Sequence, residues 1–299
     1  FDMAKAGQEI SVIEMGVSIP GEMERLARMC SVDMAILTNI GDAHLENMQS
    51  KENTCFEKLH ILMGESGKVE LYLPKKDPIL SQLTPEKIHD MGFLGNRELS
   101  LFFYEKEEMP LSIPGEHMKE NAGIALLLAE CLGVSKEAAV RAISAFRGLP
   151  GRGEKIVTKD EIQILDDSYN ASPDSMKAAL RVLSEEKGLR RVAVLGDMNE
   201  LGKDELLLHR EIGEEMRALS IDCLFTLGEK SKEIWKGLGE KKIPGAAFLS
   251  LEELEKKVEK EIQSGDVVLF KASHSLSLSK VIDKLLEKHP LTVENSKEG

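Results

Sequence analysis

The second half of the sequence alternates short apolar runs with segments of helical period, and this regularity restricts the fold more than any other feature. The runs are "IQILDD" (162–167), "RVAVLG" (191–196), "CLFTLG" (223–228), "AAFLS" (246–250) and "DVVLFKA" (266–272). Parallel strands cannot be joined by tight turns and need a crossover, so the pattern predicts βαβ units and a mostly parallel sheet in an α/β protein. In such sheets ligands gather at the carboxyl ends of the strands. The residues that follow each run are therefore the first place to look for chemistry.

The first half is less regular. It predicts strands at "ISVIEMG" (10–16) and "MAILTNI" (34–40), and helices over about 20–29 and 50–63. Two β-rich patches follow, "KVELYLP" and "LSLFFYE". After the turn "IPGEH" come two helices over about 117–132 and 136–146, broken at Gly133. The stretch "RGLPGRG" (147–153) reads as the best linker in the chain, which divides it into domains at 1–148 and 149–299. The chain opens on Phe1 and soon enters an apolar run, as if it began inside a domain. The terminal "LTVENSKEG" is polar and expected to fray.

Composition removes several function classes. With 42% hydrophobic and 30% charged residues the chain reads as soluble and globular, and no window suits membrane insertion. A formal charge of -13 repels a phosphate backbone, so no nucleic acid partner is expected. Cys30, Cys55, Cys131 and Cys223 form no metal or redox motif, which points to free thiols and a cytoplasmic location.

Several strand ends carry polar residues. In "DDSYNASPDSMKAAL", Ser172, Pro173 and Asp174 are good helix-start residues, and Met176, Ala179, Leu180 and Leu183 give the helix its buried face. Capping leaves Asp167, Tyr169 and Asn170 unexplained, and position makes them candidate ligand contacts. "VLGDMNELG" ends the next strand without a GxGxxG fingerprint, which disfavours a nicotinamide-dependent oxidoreductase. Its Asp197 and Glu200 can bind an amine or cap the following helix. Glu14, at the end of its apolar run, can hold Mg²⁺ beside a nucleotide or stand solvated; Thr38, Asn39, Asp42, His44 and Glu46 follow the neighbouring run. The phosphate-loop pattern GxxxxGK[ST] is absent from the 299 residues.

Taken in order, "IEMGVSIPGEMERLA", "LTNIGDAHLE", "PGEHMKENA", "GRGEKI", "DDSYNASPDSMKAAL", "LGDMNELG" and "VVLFKAS" resemble the Mur ligase family, over essentially the whole chain. The motifs are most similar to the branch that adds D-Ala-D-Ala. The resemblance implies part of a central ATPase domain followed by a C-terminal Rossmann-like domain, without the family's N-terminal domain and phosphate loop. It implies an ATP-dependent amide ligase of peptidoglycan precursor synthesis, with ATP and Mg²⁺ as cofactors and UDP-MurNAc-tripeptide and D-Ala-D-Ala as substrates. By motif, Glu14 and His44 correspond to Mg²⁺ ligands. Lys58 corresponds to a lysine carbamylated by CO₂ that can hold a second Mg²⁺. Asn121 corresponds to an adenine contact, Arg152 to a linker arginine reaching the ATP phosphates, and Asp167 to a ribose contact, with Tyr169 and Asn170 facing the nucleotide or the dipeptide amine. Lys58, His44 and Arg152 are the catalytic candidates.

The chain departs from the family pattern at three places: Ser172 stands in "YNANP", Met118 follows His117 where asparagine is usual, and His274 stands where "KGSR" ends in arginine. Imidazole is a weaker, pH-dependent cation. Two other readings fit less of the chain: a sibling ligase adding another amino acid, and a non-catalytic nucleotide or dipeptide module. The second describes what residues 1–299 alone are expected to be, since they lack the phosphate loop and are expected to be inactive in ligation.

Overall fold

Three separate hydrophobic cores account for the architecture of the computed structural model, which describes residues 9–42, 44–64 and 67–292. Among these, residues up to Ile40 and Asn47–Phe103 form one compact unit, and Gly41–Glu46 with the residues from Tyr104 onward form the other. No described helix is long and apolar enough to cross a membrane.

The elements up to the end of the first unit are α1 (Glu22–Met29), β1 (Met34–Ile36), α2 (Leu45–Met48), α3 (Lys51–Leu59), β2 (Lys68–Pro74), α4 (Pro85–Asp90) and β3 (Glu98–Tyr104). The sheet order is β1-β2-β3, and β1 pairs parallel to β2 with Ala35 opposite Leu71. Leu59, Leu62, Val69, Leu71, Leu73 and Ile88 fill the core beneath it. Buried Arg97 ties three chain segments together, donating to the carbonyls of Val32 (2.5 Å), Leu62 (3.2 Å) and Lys68 (3.0 Å).

Two sequence expectations need correction here. Residues 10–16 do not form a strand, because a strand requires a paired neighbour and this segment makes no ladder with any described residue. Ile10 and Val12 stand out accordingly, 53% and 91% exposed, while Met15 packs against the core. The strand expected over 34–40 stops at Ile36, because the Ile40 N–H turns away to the Asp77 carboxylate at 2.9 Å. The short α4, begun by Thr84 as its cap and Pro85 in its first turn, has no counterpart in the sequence reading.

The second unit opens with α5 (Glu116–Cys131) and α6 (Lys136–Ala145). It continues as β4 (Glu154–Val157), β5 (Gln163–Asp166), α7 (Pro173–Glu185), β6 (Arg190–Gly196), α8 (Glu205–Glu215) and β7 (Cys223–Leu227). The last elements are α9 (Lys232–Gly237), β8 (Gly245–Phe248), α10 (Leu251–Glu261), β9 (Asp266–Lys271) and α11 (Ser279–Lys288). The sheet order is β4-β5-β9-β6-β7-β8; only the β4–β5 pair is antiparallel.

Side-chain alternation along the central strands builds both faces of this sheet. Ala193 and Leu195 of β6 and Val267 and Leu269 of β9 pack with α7, α8 and α9. Val192, Val194, Val268 and Phe270 pack with α10 and α11. The mostly parallel sheet expected from the alternating runs is present, with α7 burying Met176, Ala179, Leu180 and Leu183 as its period predicts. The sequence reading did not separate β4 from the linker.

Candidate functional site

Strand order decides where this unit can hold a ligand. The chain leaves β5 and β6 toward helices on one face and leaves β9, between them, toward the other face, so clefts open at their carboxyl ends. Three loops meet there: 167–172 after β5, 197–202 after β6 and 272–278 after β9.

The β5 loop is held by its two acids in different ways. Asp166, given no role by the sequence reading, is buried, and its carboxylate accepts from the N–H groups of Ser168 (3.1 Å) and Gly151 (3.2 Å). It thereby fixes both the loop and the linker. The Asp167 carboxylate is 2.5 Å from Nζ of Lys271 at the end of β9, and the same ammonium donates to the Asn170 carbonyl at 3.0 Å. Lys271 has a side chain only 3% exposed, whereas that of Asp167 is 27% exposed and keeps an edge toward the cleft. Asn170 is exposed and its Oδ1 accepts from the Ala171 N–H at 2.9 Å.

Arg152 reaches the same loop from the linker. The Tyr169 N–H donates to the Gly151 carbonyl at 2.9 Å, which sets the Arg152 guanidinium 4.1 Å over the Tyr169 ring. His274 lies against that ring too, with centroids 5.4 Å apart. None of the guanidinium donors has a protein acceptor among the described residues. An exposed arginine held by an aromatic face with its donors free is suited to an oxyanion such as phosphate.

The β6 loop takes its shape from a residue that sequence reasoning passed over. His209 on α8 is fully buried; its Nε2 accepts the Met198 N–H at 2.9 Å, and its Nδ1–H donates to the Glu205 carbonyl at 2.6 Å. Burial pushes its pKa below the ordinary histidine value and favours the neutral ring these bonds need. The two acids of this loop cap no helix start after it. Asp197 accepts the Ser231 N–H at 2.7 Å, and Glu200 hydrogen-bonds Nδ1 of His44. Backbone contact supports that pair, since the Glu46 N–H donates to the Glu200 carbonyl at 3.1 Å. With Nδ1 engaged, His44 has Nε2 left for a metal, in the orientation a carboxylate partner fixes.

Asn121 lies apart from these loops, on α5. Gly123 lets that helix press against the chain leaving β3, where a Cβ would stand 2.1 Å from the Glu105 carbonyl oxygen. Between α5 and α6 is a cavity of about 430 Å³ lined by Leu111, Ile113, Met118, Asn121, Ala125 and Phe146 among others. Asn121 is the sole polar side chain of an otherwise apolar lining, as suits a flat heteroaromatic base. Ile113 joins the cavity to the linker, its side chain standing beside Gly148 and Gly153.

The remaining candidates belong to the first unit. Glu14 is exposed on the extended segment before α1. Lys58 on α3 donates to the Asn39 carbonyl at 3.1 Å, and burial pulls its ammonium below the ordinary lysine pKa. A larger neutral fraction is what addition to CO₂ requires, so the environment of Lys58 fits a carbamate. Carboxylate and carbamate oxygens with one imidazole nitrogen form a donor set acceptable to Mg²⁺. Within neither unit do three or more described His, Cys, Asp or Glu residues form a metal cluster.

Comparison with known proteins matches these features to one family. The model of the Mur ligase middle domain matches residues 1–129, and that of the Mur ligase glutamate ligase domain matches residues 151–274. The UDP-N-acetylmuramoyl-tripeptide–D-alanyl-D-alanine ligase of Bacillus subtilis is 31% identical over 93% of this chain, which spans 65% of that relative. A crystal structure of MurF from Acinetobacter baumannii superposes with a TM-score of 0.74 at 25% identity, covering 92% of this chain and 64% of that one. MurF from Thermotoga maritima, solved in complex with ADP, shares the fold with a TM-score of 0.73 at 23% identity, over 91% of this chain and 65% of that one. The chain spans less than two thirds of these relatives, but both of its domains are matched by models of one family. It belongs to the Mur ligase family.

Proposed function

We propose that the chain is the ATP-binding and C-terminal portion of an ATP-dependent amide ligase that joins D-Ala-D-Ala to UDP-MurNAc-tripeptide in the cytoplasm. Its modules are 1–148 and 149–299, a division supported by family matches that end at residue 129 and resume at residue 151. The observation that carries the reading is the stacked Arg152, with no guanidinium donor engaged by a described residue, beside the cleft at the ends of β5, β9 and β6.

In this reading the tripeptide carboxylate attacks the γ-phosphorus of ATP, forming an acyl phosphate and releasing ADP. The D-Ala-D-Ala amine then attacks the acyl carbon, and the tetrahedral species expels phosphate and loses a proton to leave the amide. Arg152 meets the phosphate oxygens, the exposed edge of Asp167 meets the ribose, and Asn121 meets the base. Tyr169 holds Arg152 in place, and Asn170 stands at the rim. Glu14, His44 and carbamylated Lys58 would hold Mg²⁺, which when bound neutralises charge on the phosphoryl oxygens. Glu200 fixes the His44 ring.

Titration of the chain with Mg²⁺-ADP, followed by calorimetry and amide NMR, tests the reading. Shifts are expected in α5, α6 and residues 151–170, and Arg152→Ala should weaken binding at least about ten-fold, as loss of a charge-assisted phosphate contact does. Equal binding by wild type and Arg152→Ala, or no binding at all, would sink it. D-Ala-D-Ala should bind in the presence of ADP where L-Ala-L-Ala does not.

A further inference from the structure

The cavity between α5 and α6 carries a detail that the family resemblance does not supply. Met118 and Asn121 lie one turn apart on α5, and both line the cavity. Asn121 Nδ2 donates to Met118 Sδ at 3.9 Å, the one hydrogen bond its side chain makes to the described residues. A thioether sulfur is an acceptor with no proton to give. It can meet the NH₂ end of the amide and repels the oxygen end. The contact therefore selects one of the two flips of Asn121, leaving Oδ1 without a partner among the described residues and free to accept from a ligand.

We propose that Met118 orients the Asn121 amide and so makes the pocket selective for a purine bearing a 6-amino group over one bearing a 6-oxo group. The inference rests on the reading above that this cavity takes the nucleotide base. An amino group at C6 donates to Oδ1; an oxo group presents an acceptor to an acceptor. The remaining lining is apolar and contacts any purine face equally, so discrimination falls on this one amide. Met118 is thus a positioning residue that need not touch the reacting atoms. In a residue with no such acceptor beside it, the amide could turn its NH₂ toward a 6-oxo base and recover the lost bond.

The test is the affinity of the chain for ADP and GDP, each with Mg²⁺, in wild type, Met118→Leu and Asn121→Leu. Leucine keeps the apolar volume and removes the sulfur. Wild type should prefer ADP. Met118→Leu should narrow the ADP-to-GDP preference by about five-fold, chiefly through tighter GDP binding, with an unchanged melting temperature. Asn121→Leu should weaken ADP binding and abolish the preference. If Met118→Leu keeps the wild-type ratio while Asn121→Leu weakens ADP, the orienting role falls and the base pocket stands. If Asn121→Leu leaves ADP affinity unchanged, or wild type binds neither nucleotide, the base pocket falls and the orienting role with it.

Discussion

Adjacent aspartates at the end of β5 divide two kinds of work. Asp166 supports the backbone, so Asp166→Ala should strand two buried N–H groups and cost about 2 kcal/mol of unfolding free energy in urea melts. Asp167→Ala removes the counter-charge of a nearly buried ammonium and should cost a similar ~2 to 3 kcal/mol, part of it recovered in the Asp167→Ala, Lys271→Met double variant. Any loss of nucleotide affinity in Asp167→Ala therefore has to be separated from loss of fold. His209 gives a pH dependence of definite sign. Its folded pKa lies below the ordinary 6.5, so below that pH the unfolded chain takes up the proton first and stability falls as the solution is acidified. Between pH 7.5 and 5.5 wild type should lose roughly 1 kcal/mol more than His209→Gln, measured by chemical denaturation at both pH values.

Packing between elements is closest where glycines face one another. A Cβ on Gly213 of α8 would meet the Ile234 carbonyl oxygen at 1.9 Å and Gly237 Cα at 2.8 Å, so α8 and α9 touch backbone to backbone. Gly213→Ala must push these helices apart and should cost about 3 kcal/mol, seen as a lower melting temperature. The elements also show what was readable from sequence. Strands β5, β6, β7 and β9 bury both faces, and their continuous apolar runs stand out, whereas edge strand β8 stays half exposed. Helix α7 was legible down to its cap, where the Ser172 N–H donates to Ser175 Oγ at 2.9 Å. Residues 10–16 have the same apolar run without the neighbour that makes a strand, and pairing is not a local property. Strand β4, only half buried and next to a glycine-rich linker, gives little periodic signal.

Over the whole molecule, the family motifs pointed to Arg152, Asp167 and Tyr169, which sit in loops and turns of distinctive composition, and to Asn121 on α5. The bonds that hold them were not readable: Lys271 is 104 residues from Asp167, and Glu200 is 156 from His44. No spacing rule reaches across such distances; strand order brings the first pair together, and a backbone bond from Glu46 to Glu200 accompanies the second. That order has a further consequence. Strand β9 is the last of the sheet to be synthesised, yet it lies at the centre, between β5 and β6. A chain emerging from the ribosome can pack α7, α8 and α9 against β6 and β7, but β5 has no inner neighbour until residue 271 is free. The second unit therefore completes its sheet, and with it the Lys271 and His274 side of the cleft, only after residue 271 has emerged, and the nascent chain carries an unpaired central gap until then.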